Sequence, residues 1–334
     1  MPNDFPLSRV SIALATYNGS AYIEEQFLSL CAQTYLPNEI IVADDGSTDD
    51  TVNKLLALSC DYPQINVVVL EQKGNGGYSR NFARALEACS GDFIFMCDQD
   101  DVWHKNKISV ILNEFEINSE ALLIAHDLNV CDSNLKQTGQ TKLERLKLLG
   151  LGDAAYVVGM ATAVKRSFLQ FCLPIPTADV AYDEWLHVCA RALGKRSVIP
   201  QALAEYRRHE SNATKGMLVN QVENVSPFSV IKTHFSAPNY LLGLQKNQII
   251  FKHLGDLLDS KKDTVQSLAS GLDDYQNVIL TNQQFERAYA QRIYALSSPF
   301  CLRQFRLLVC YIRGDYRVFS GYKSFVKDFI KLHL

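Results

Sequence analysis

The chain has 334 residues, of which 47% are hydrophobic and 21% are charged, and its formal net charge is −3. This composition is typical of a globular protein and excludes a disordered or fibrous one. General nucleic-acid binding normally needs a basic excess, so we expect no nucleic-acid partner. The length fits one large α/β domain with an appendage.

Nine cysteines are spread along the chain without a C-x-x-C pair. This pattern predicts reduced, mostly buried thiols rather than a disulfide or zinc framework. Residues 1–7 contain an acid and two prolines and lack a basic stretch followed by an apolar run, so we expect no signal peptide. No segment reaches the roughly 18 uninterrupted apolar residues of a spanning helix. Together these features predict a cytoplasmic protein.

Strand and helix patterns alternate along the first hundred residues. We predict strands at Val10–Thr16, Glu39–Ala43, Asn66–Leu70 and Asp92–Cys97. The intervening helices are predicted around Ile23–Cys31, from Ser47 to about Leu58, and at Tyr78–Ala88. Such βαβ repetition predicts a mostly parallel sheet flanked by helices, with ligand sites at the carboxyl ends of the strands. Beyond about Val225 long helical patterns take over, so we divide the chain into an α/β domain at 1–225 and a helical region at 226–334.

An acidic cluster follows the fourth predicted strand. Asp98, Asp100 and Asp101 lie where an apolar strand reaches the surface, and like charges this close are costly unless a cation neutralises them. Oxygen ligands of this kind suit Mg²⁺ or Mn²⁺. A solvated acidic turn is the alternative, although the Val102–Trp103 segment that follows favours a site.

A second acidic turn follows the strand that ends near Ala43. A carboxylate of Asp44 or Asp45 could accept the N3–H of a uracil or thymine base, with Gly46 allowing close approach. A plain helix-capping turn is the alternative. Tyr17, at the end of the first strand, could stack on the same base or simply pack.

Two further clusters carry groups suited to catalysis. Asp183 and Glu184 lie between aromatic residues, where partial burial could raise a carboxylate pKa toward that of a general base. An acid-rich first turn of a helix is the alternative. The segment from Tyr206 to His209 gathers cations and an imidazole suited to a diphosphate or a metal, or to a surface basic cluster.

Taken together and in order, these motifs resemble the bacterial family 2 glycosyltransferases. The resemblance covers about residues 8–216 and rests on several segments: Ala15–Gly19, Asp44–Asp49, Arg80–Asn81, Asp98–Trp103, Tyr182–Trp185 and Tyr206–His209. It implies a GT-A type fold and an inverting, metal-dependent transfer of a sugar from a nucleotide diphospho-sugar to an acceptor hydroxyl. Mg²⁺ or Mn²⁺ would be the cofactor.

The resemblance also implies roles for single residues. Asp183 matches the catalytic base, although many members have a Glu-Asp pair here, so Glu184 remains a competing candidate. The implied donor-binding residues are Thr16, Tyr17, Asn18, Asp45, Arg80 and Asp98. The implied metal ligands are Asp100, Asp101 and His209, and Arg207 would bind the diphosphate. The implied acceptor side comprises Gly159, Glu184 and Trp185.

The donor and the acceptor are less closely defined by the motifs. The Asp98–Trp103 segment resembles that of rhamnosyltransferases of polysaccharide assembly, which implies dTDP-rhamnose and a role in cell-surface polysaccharide or lipopolysaccharide synthesis. A UDP-hexose donor and an inactive nucleotide-sugar binding protein of the same fold are the alternatives. A nucleotidyltransferase would need a Gly-rich triphosphate loop near the N-terminus, which the sequence lacks.

The last segment, 299–334, mixes aromatic residues with a clear excess of Lys and Arg. Basic amphipathic helices of this type lie at membrane surfaces. We therefore expect this segment to contact the inner face of the cytoplasmic membrane or a lipid-linked saccharide acceptor. The alternative is that its apolar residues pack on the α/β domain.

Overall fold

The computed structural model describes residues 8–71, 74, 76–210, 212, 240–269, 272–319 and 321–330. The chain divides into two compact units, Met1–Pro227 and Phe228–Leu334. Three predicted features lie outside the described residues: the domain boundary near residue 225, the segment 1–7 that was expected to carry no signal peptide, and the end of the basic segment at 331–334.

Four parallel strands form one half of a nine-stranded sheet in the first unit. They are β1 (Val10–Thr16), β2 (Glu39–Asp44), β3 (Asn66–Val69) and β4 (Phe93–Asp98), in the spatial order β3-β2-β1-β4. Each prediction was correct to within one residue at either end. β2 is buried along its whole length, as expected of a parallel strand covered on both faces.

The helices that connect these strands are α1 (Ile23–Cys31), α2 (Thr51–Ser59) and α3 (Tyr78–Ala88). The prediction that α2 begins with a capping box at Ser47 was wrong, because the helix begins four residues later and has no side-chain cap. The Ser47 hydroxyl instead donates to Asp44 and accepts from the Asn18 backbone N–H, each within 2.8 Å. Ser47 therefore organises the loop between two strand ends.

The second half of the sheet is mixed. Its elements are β5 (Val102–Trp103), α4 (Lys107–Ile117), β6 (Leu123–Cys131), β7 (Gln137–Thr141), α5 (Lys142–Leu148), β8 (Thr162–Lys165), α6 (Arg166–Cys172), α7 (Tyr182–Ala192) and β9 (Arg196–Arg207). β8 lies antiparallel between β4 and β6, and β9 runs parallel to β6. β6 and β9 therefore point the same way as β1, and their carboxyl ends reach the same edge of the sheet.

The second unit is helical, as predicted. Its helices are α8 (Tyr240–Ser260), α9 (Lys262–Leu268), α10 (Leu272–Leu296), α11 (Phe300–Arg313) and α12 (Tyr322–Ile330). Leu307 and Tyr316 are central to a small buried cluster, and the guanidinium of Arg292 forms a buried pair with Asp328 at 2.9 Å. None of the described helices has both the length and the apolar character required to cross a bilayer.

Candidate active site

The register of the parallel strands brings the predicted acids to one edge of the sheet. Thr16, at the end of β1, is level with Asp44 on β2, and Ala15 is level with Asp98 on β4. Adjacent parallel strands lie about 4.8 Å apart, so these strand ends are neighbours. The alternation of strands and helices predicted this convergence.

The loop after β1 is fixed to the end of β4 by a reciprocal pair of hydrogen bonds. The Tyr17 backbone N–H donates to Oε1 of Gln99 at 2.8 Å, and Nε2 of Gln99 donates to the Tyr17 carbonyl at 2.9 Å. A Cβ at Gly19 would lie only 2.1 Å from Oε1 of Gln99, so a larger residue there would displace the Gln99 amide from these hydrogen bonds. The Tyr17 side chain is 46% exposed and is accessible to a planar base.

Asn18 connects the same loop to the turn after β2. Its backbone is left-handed, with φ of 46°, and its Oδ1 accepts from the Thr48 backbone N–H at 2.8 Å. The Thr16 hydroxyl donates to Asp44 at 2.8 Å. Thr16 and Asn18 thus hold together the two strand ends between which the donor base is predicted to bind.

Asp44 and Asp45 have different surroundings. Asp44 is buried and accepts from Thr16 and from the Gly46 and Ser47 backbone N–H groups, which makes it a loop-forming residue. The two carboxylate oxygens of Asp45 accept from the backbone N–H groups of Gly76 and Gly77 at 2.7 and 2.8 Å. Each carboxylate oxygen can accept more than one hydrogen bond, so base recognition by Asp45 stays a prediction.

The pair Arg80–Asn81 separates into an exposed and a buried member. Arg80 is exposed on α3, and its donor-binding role stays a prediction. Asn81 is buried, and its amide donates to the carbonyls of Ala43 at 2.6 Å and Thr16 at 3.3 Å. Asn81 therefore ties α3 to the carboxyl ends of β1 and β2.

Asp98 and Asp101 are both in places that disfavour their charged forms. Burial, followed by the charges of Asp100 and Asp183, raises the pKa of Asp98. Burial and the neighbouring carboxylates also raise the pKa of Asp101, which is only 1% exposed. Oδ1 of Asp101 accepts from the Arg207 backbone N–H at 2.9 Å, whereas its buried Oδ2 has no hydrogen-bond partner among the described residues.

The side chain of Asp100 contacts two residues that follow the end of β9. Its Oδ2 lies 2.7 Å from Nε2 of His209 and accepts from the Asn212 amide at 2.9 Å. The imidazole of His209 stacks on Tyr22 with ring centroids 4.6 Å apart, and its buried Nδ1 has no described hydrogen-bond partner. The structure thus brings two of the three predicted metal ligands into direct contact.

These residues fit a divalent cation. A carboxylate and an imidazole are suitable ligands for Mn²⁺ or Mg²⁺, which commonly take one or two protein carboxylates and fill the remaining positions with substrate phosphates and water. Oδ2 of Asp101, which is buried and has no described hydrogen-bond partner, is available as a further metal ligand. Within the described part of the chain no group of three or more His, Cys, Asp or Glu side chains is arranged to hold a metal by itself.

Arg207 is buried within the protein. Its guanidinium donates to the carbonyls of Asp100 and Ser133, each at 2.8 Å, and pairs with Glu25. These contacts anchor the segment that carries His209. Diphosphate binding by Arg207 stays a prediction.

Asp183 is the second residue of α7 and lies beside the acidic edge. Its Oδ1 accepts from the Glu184 backbone N–H at 2.9 Å, which is the geometry of an acidic first turn. Burial is the main cause that raises its pKa, and the charge of Glu184 acts in the same direction. Trp185 is buried, and its indole N–H donates to the Cys172 carbonyl at 2.9 Å, so it anchors α7 to α6. The acceptor roles of Glu184 and Trp185 stay predictions.

Gly159 packs against the residue before Asp183. A Cβ on Gly159 would lie 1.8 Å from the hydroxyl oxygen of Tyr182, whose ring is stacked on Phe82 with centroids 4.0 Å apart. The side chain of Tyr182 therefore depends on glycine at 159. This contact links the predicted acceptor-side segment to α7.

Lys107 is a buried residue of this region that the motifs did not single out. Its ammonium lies 3.4 Å from the centroid of Trp103 and donates to the Met160 carbonyl at 2.7 Å. Burial lowers its pKa to about 7, and the carboxylates of Asp98 and Asp101 oppose this shift. Lys107 and Lys105 both follow the acidic motif, so the sequence carried no signal to choose between them.

Comparisons with known proteins agree with this geometry. Residues 11–170 match the family model described as Glycosyl transferase family 2. A "dTDP-rhamnosyl transferase RfbG" of Shigella flexneri is 27% identical over 308 residues, which cover 85% of this chain and 97% of that protein. An "Uncharacterized glycosyltransferase" of Nostoc sp. is 29% identical over 216 residues, 61% of this chain and 66% of that protein.

Two solved structures are similar in fold. S. aureus TarS 1-349, in complex with UDP-GlcNAc, has a TM-score of 0.50 at 19% identity, covering 95% of this chain and 92% of its own. The mannosyltransferase PcManGT from Pyrobaculum calidifontis, in complex with GDP-Man and Mn²⁺, has a TM-score of 0.50 at 14% identity, with coverages of 99% and 89%. The α/β sheet with its GT-A arrangement is thereby confirmed. Residues 11–170 of the chain thus match glycosyltransferase family 2, and the fold is of the GT-A type.

Proposed function

We propose that the protein is an inverting, metal-dependent glycosyltransferase that uses a nucleotide diphospho-sugar. The observation that carries this proposal is the contact of Asp100 with His209 at the edge of the sheet where the charge of Asp183 acts on Asp98. The charge of Asp183 contributes to the raised pKa of Asp98, which supports their proximity. A base and a metal-binding pair within one acidic edge meet the two needs of sugar transfer.

In this proposal Asp183 removes the proton of the acceptor hydroxyl as its oxygen attacks the anomeric carbon. The bond to the donor diphosphate breaks on the opposite face, so one displacement inverts the anomeric configuration. Asp100 and His209 hold the cation, which when bound would neutralise charge on the departing diphosphate. Because the diphosphate leaves without protonation, no second catalytic carboxylate is needed, unlike in glycoside hydrolysis.

For the donor we propose dTDP-rhamnose. The support is the 27% identity, over almost the full length, to the Shigella flexneri protein named a dTDP-rhamnosyl transferase. Tyr17 would stack on the base and Asp45 would accept its N3–H, an edge that thymine shares with uracil. A UDP-hexose therefore remains the alternative donor, and the acceptor we propose is a hydroxyl of a cell-surface saccharide or its lipid-linked precursor.

Product analysis tests the reaction class. Purified protein would be incubated with dTDP-rhamnose, UDP-glucose and UDP-GlcNAc, each with Mn²⁺, Mg²⁺ or EDTA, with water as the acceptor of the sugar, and the released nucleotide would be identified. We expect a free nucleoside diphosphate, in a metal-dependent reaction that the Asp183→Asn variant loses. Release of pyrophosphate from a parallel incubation with dTTP or UTP and a sugar 1-phosphate would identify a nucleotidyltransferase instead. Donor binding without any turnover would favour an inactive binding protein.

One face of α11 supports a contact of the second unit with the inner surface of the cytoplasmic membrane. Leu307 and Cys310 point into the core of that unit, whereas the apolar side chains of Leu302, Phe305, Leu308 and Ile312 are exposed. The segment from 300 to 330 carries six Lys or Arg residues against two Asp residues, of which Asp328 is neutralised in the buried pair with Arg292. An apolar stripe flanked by cations fits an anionic membrane surface.

A further inference from the structure

Lys142, the first residue of α5, is a buried cation that the proposed reaction does not use. The residue is only 6% exposed, and its ammonium lies 4.7 Å from the centroid of the Tyr206 ring. Within the described ranges it donates no hydrogen bond and forms no ion pair with a carboxylate. An ammonium group in a largely buried side chain usually retains hydrogen bonds or a counter-ion, so this one is suited to a ligand that supplies them.

A second cation contacts the same aromatic ring. Nη1 of Arg208 donates to the Tyr206 hydroxyl at 3.0 Å, and its guanidinium carbon lies 5.3 Å from the ring centroid. Burial is the main cause that lowers the pKa of Lys142 to about 8, and the like charge of Arg208 acts in the same direction. The two cations therefore repel each other, and an anion that contacts both would relieve that repulsion.

The cation pair borders the acidic edge on the side away from β1 and β2. Tyr206 is level with Val130, and Thr141, the residue before Lys142, is level with Asn129, so both cations lie near the end of β6. Among the carboxylates, Asp183 acts most strongly on the charge of Lys142. Lys142 is therefore on the side of the edge where the charge of the proposed base acts, across the edge from the predicted base-binding loop.

We propose that Lys142 and Arg208, which both contact the side chain of Tyr206, form an anion subsite that binds a phosphate group of a substrate next to Asp183. This inference rests on the proposed glycosyl transfer. The phosphate could belong to the donor diphosphate or to a phosphorylated acceptor, and both present the same oxyanion chemistry. Charge-assisted hydrogen bonds from Lys and Arg are the usual way of holding such a group.

The test compares Lys142→Met and Arg208→Gln with Lys147→Met as the control. Lys147 lies on the same helix but is exposed, so the control repeats the charge change away from the subsite. Isothermal titration with Mn²⁺ would measure binding of dTDP and thymidine, and then of inorganic phosphate to protein saturated with dTDP. Using two variants on different elements keeps the test valid if one of them does not fold.

If the donor supplies the phosphate, each subsite variant should lose at least about tenfold in dTDP affinity with thymidine affinity unchanged. If the acceptor supplies it, dTDP affinity should persist and phosphate binding to the saturated protein should fall by the same factor. Unchanged affinities in both variants would overturn the inference. Failure of the wild type to bind dTDP would count against the proposed function, whereas phosphate binding that depends on Lys142 would still support the subsite.

Discussion

The carboxylate of Asp100 and the imidazole of His209 approach to 2.7 Å although 109 positions separate them in the chain. β9 makes this contact possible, because it runs parallel to β6 and delivers its carboxyl end to the edge where β4 also ends. Arg207 then holds the segment in place through the Asp100 carbonyl. The proposed metal site thus depends on the mixed half of the sheet as much as on the acidic motif.

Substitution of Asp183 by Asn should separate chemistry from binding. The amide cannot take the acceptor proton, so turnover should fall by about 10²–10⁴-fold, the usual contribution of a positioned general base. Donor affinity should change little, which is the pattern of a group acting in the transition state. Initial rates and donor titrations on the same preparation measure both.

Glu184→Gln is the internal control for that experiment, since Glu184 is the adjacent acid in the first turn of α7. It should retain most of the activity. Near-normal transfer by Asp183→Asn together with loss of transfer by Glu184→Gln would move the base by one residue. If neither substitution lowers turnover, the proposed site is wrong.

The pH dependence of turnover should report the raised pKa of Asp183. A general base works in its ionised form, so kcat should rise with pH through this pKa, and the acidic limb should lie above the usual value of 3.8. The negative charge of Glu184 raises this pKa and the positive charge of Lys142 lowers it. Glu184→Gln should therefore move the limb to lower pH and Lys142→Met should move it to higher pH. If the two variants shift the acidic limb in the same direction, this assignment is contradicted.

Substitution of Gly159 by Ala should disturb the site through packing. The added methyl group would overlap the Tyr182 hydroxyl, and overpacking of a buried position typically costs about 1–3 kcal/mol. Displacement of Tyr182 would also move Asp183, so we expect lower turnover with a lower melting temperature. Gly152→Ala is the matched control, because nothing lies within 4 Å of its Cβ position. Equal behaviour of the two variants would show that the contact is unimportant.

Membrane contact by α11 can be measured by co-sedimentation with anionic and neutral vesicles at low salt. The full chain should bind anionic vesicles, and replacing Phe305 and Ile312 with Ser should weaken binding by at least about tenfold, because two exposed apolar side chains are lost. Ile117→Ser is the control, since Ile117 is 73% exposed on the other unit. A wild-type protein that remains in the supernatant would exclude the proposal.

The parallel half of the sheet was predictable because its sequence signals are local. Apolar runs and helical periodicity marked β1 to β4 with small errors, and the strand ends placed Thr16, Asp44 and Asp98 at one edge. The start of α2 was misplaced because the Ser47 hydroxyl bonds to Asp44, a contact with another element that the capping pattern cannot reveal.

The part of the site that lies on the mixed half of the sheet was less predictable, because it is formed by contacts between residues far apart in the sequence. Nothing in the local sequence distinguishes the buried Lys107 from its exposed neighbour Lys105, or Lys142 from Lys147. Likewise the local sequence does not show that the fold surrounds the guanidinium of Arg207 with backbone carbonyls and Glu25, and diphosphate binding by Arg207 stays a prediction. Burial, which sets these roles, depends on which strands become neighbours.

Titration of dTDP into the wild type and the Asp100→Asn variant, each with Mn²⁺ and with EDTA, tests the central claim most directly. We expect wild-type binding to weaken at least about tenfold when the metal is removed, because the cation joins the diphosphate to the Asp100–His209 pair. Asp100→Asn should bind weakly in both conditions, with no further effect of EDTA. Tight binding that is independent of metal and unchanged in Asp100→Asn would contradict the assignment of this edge as a metal–diphosphate site.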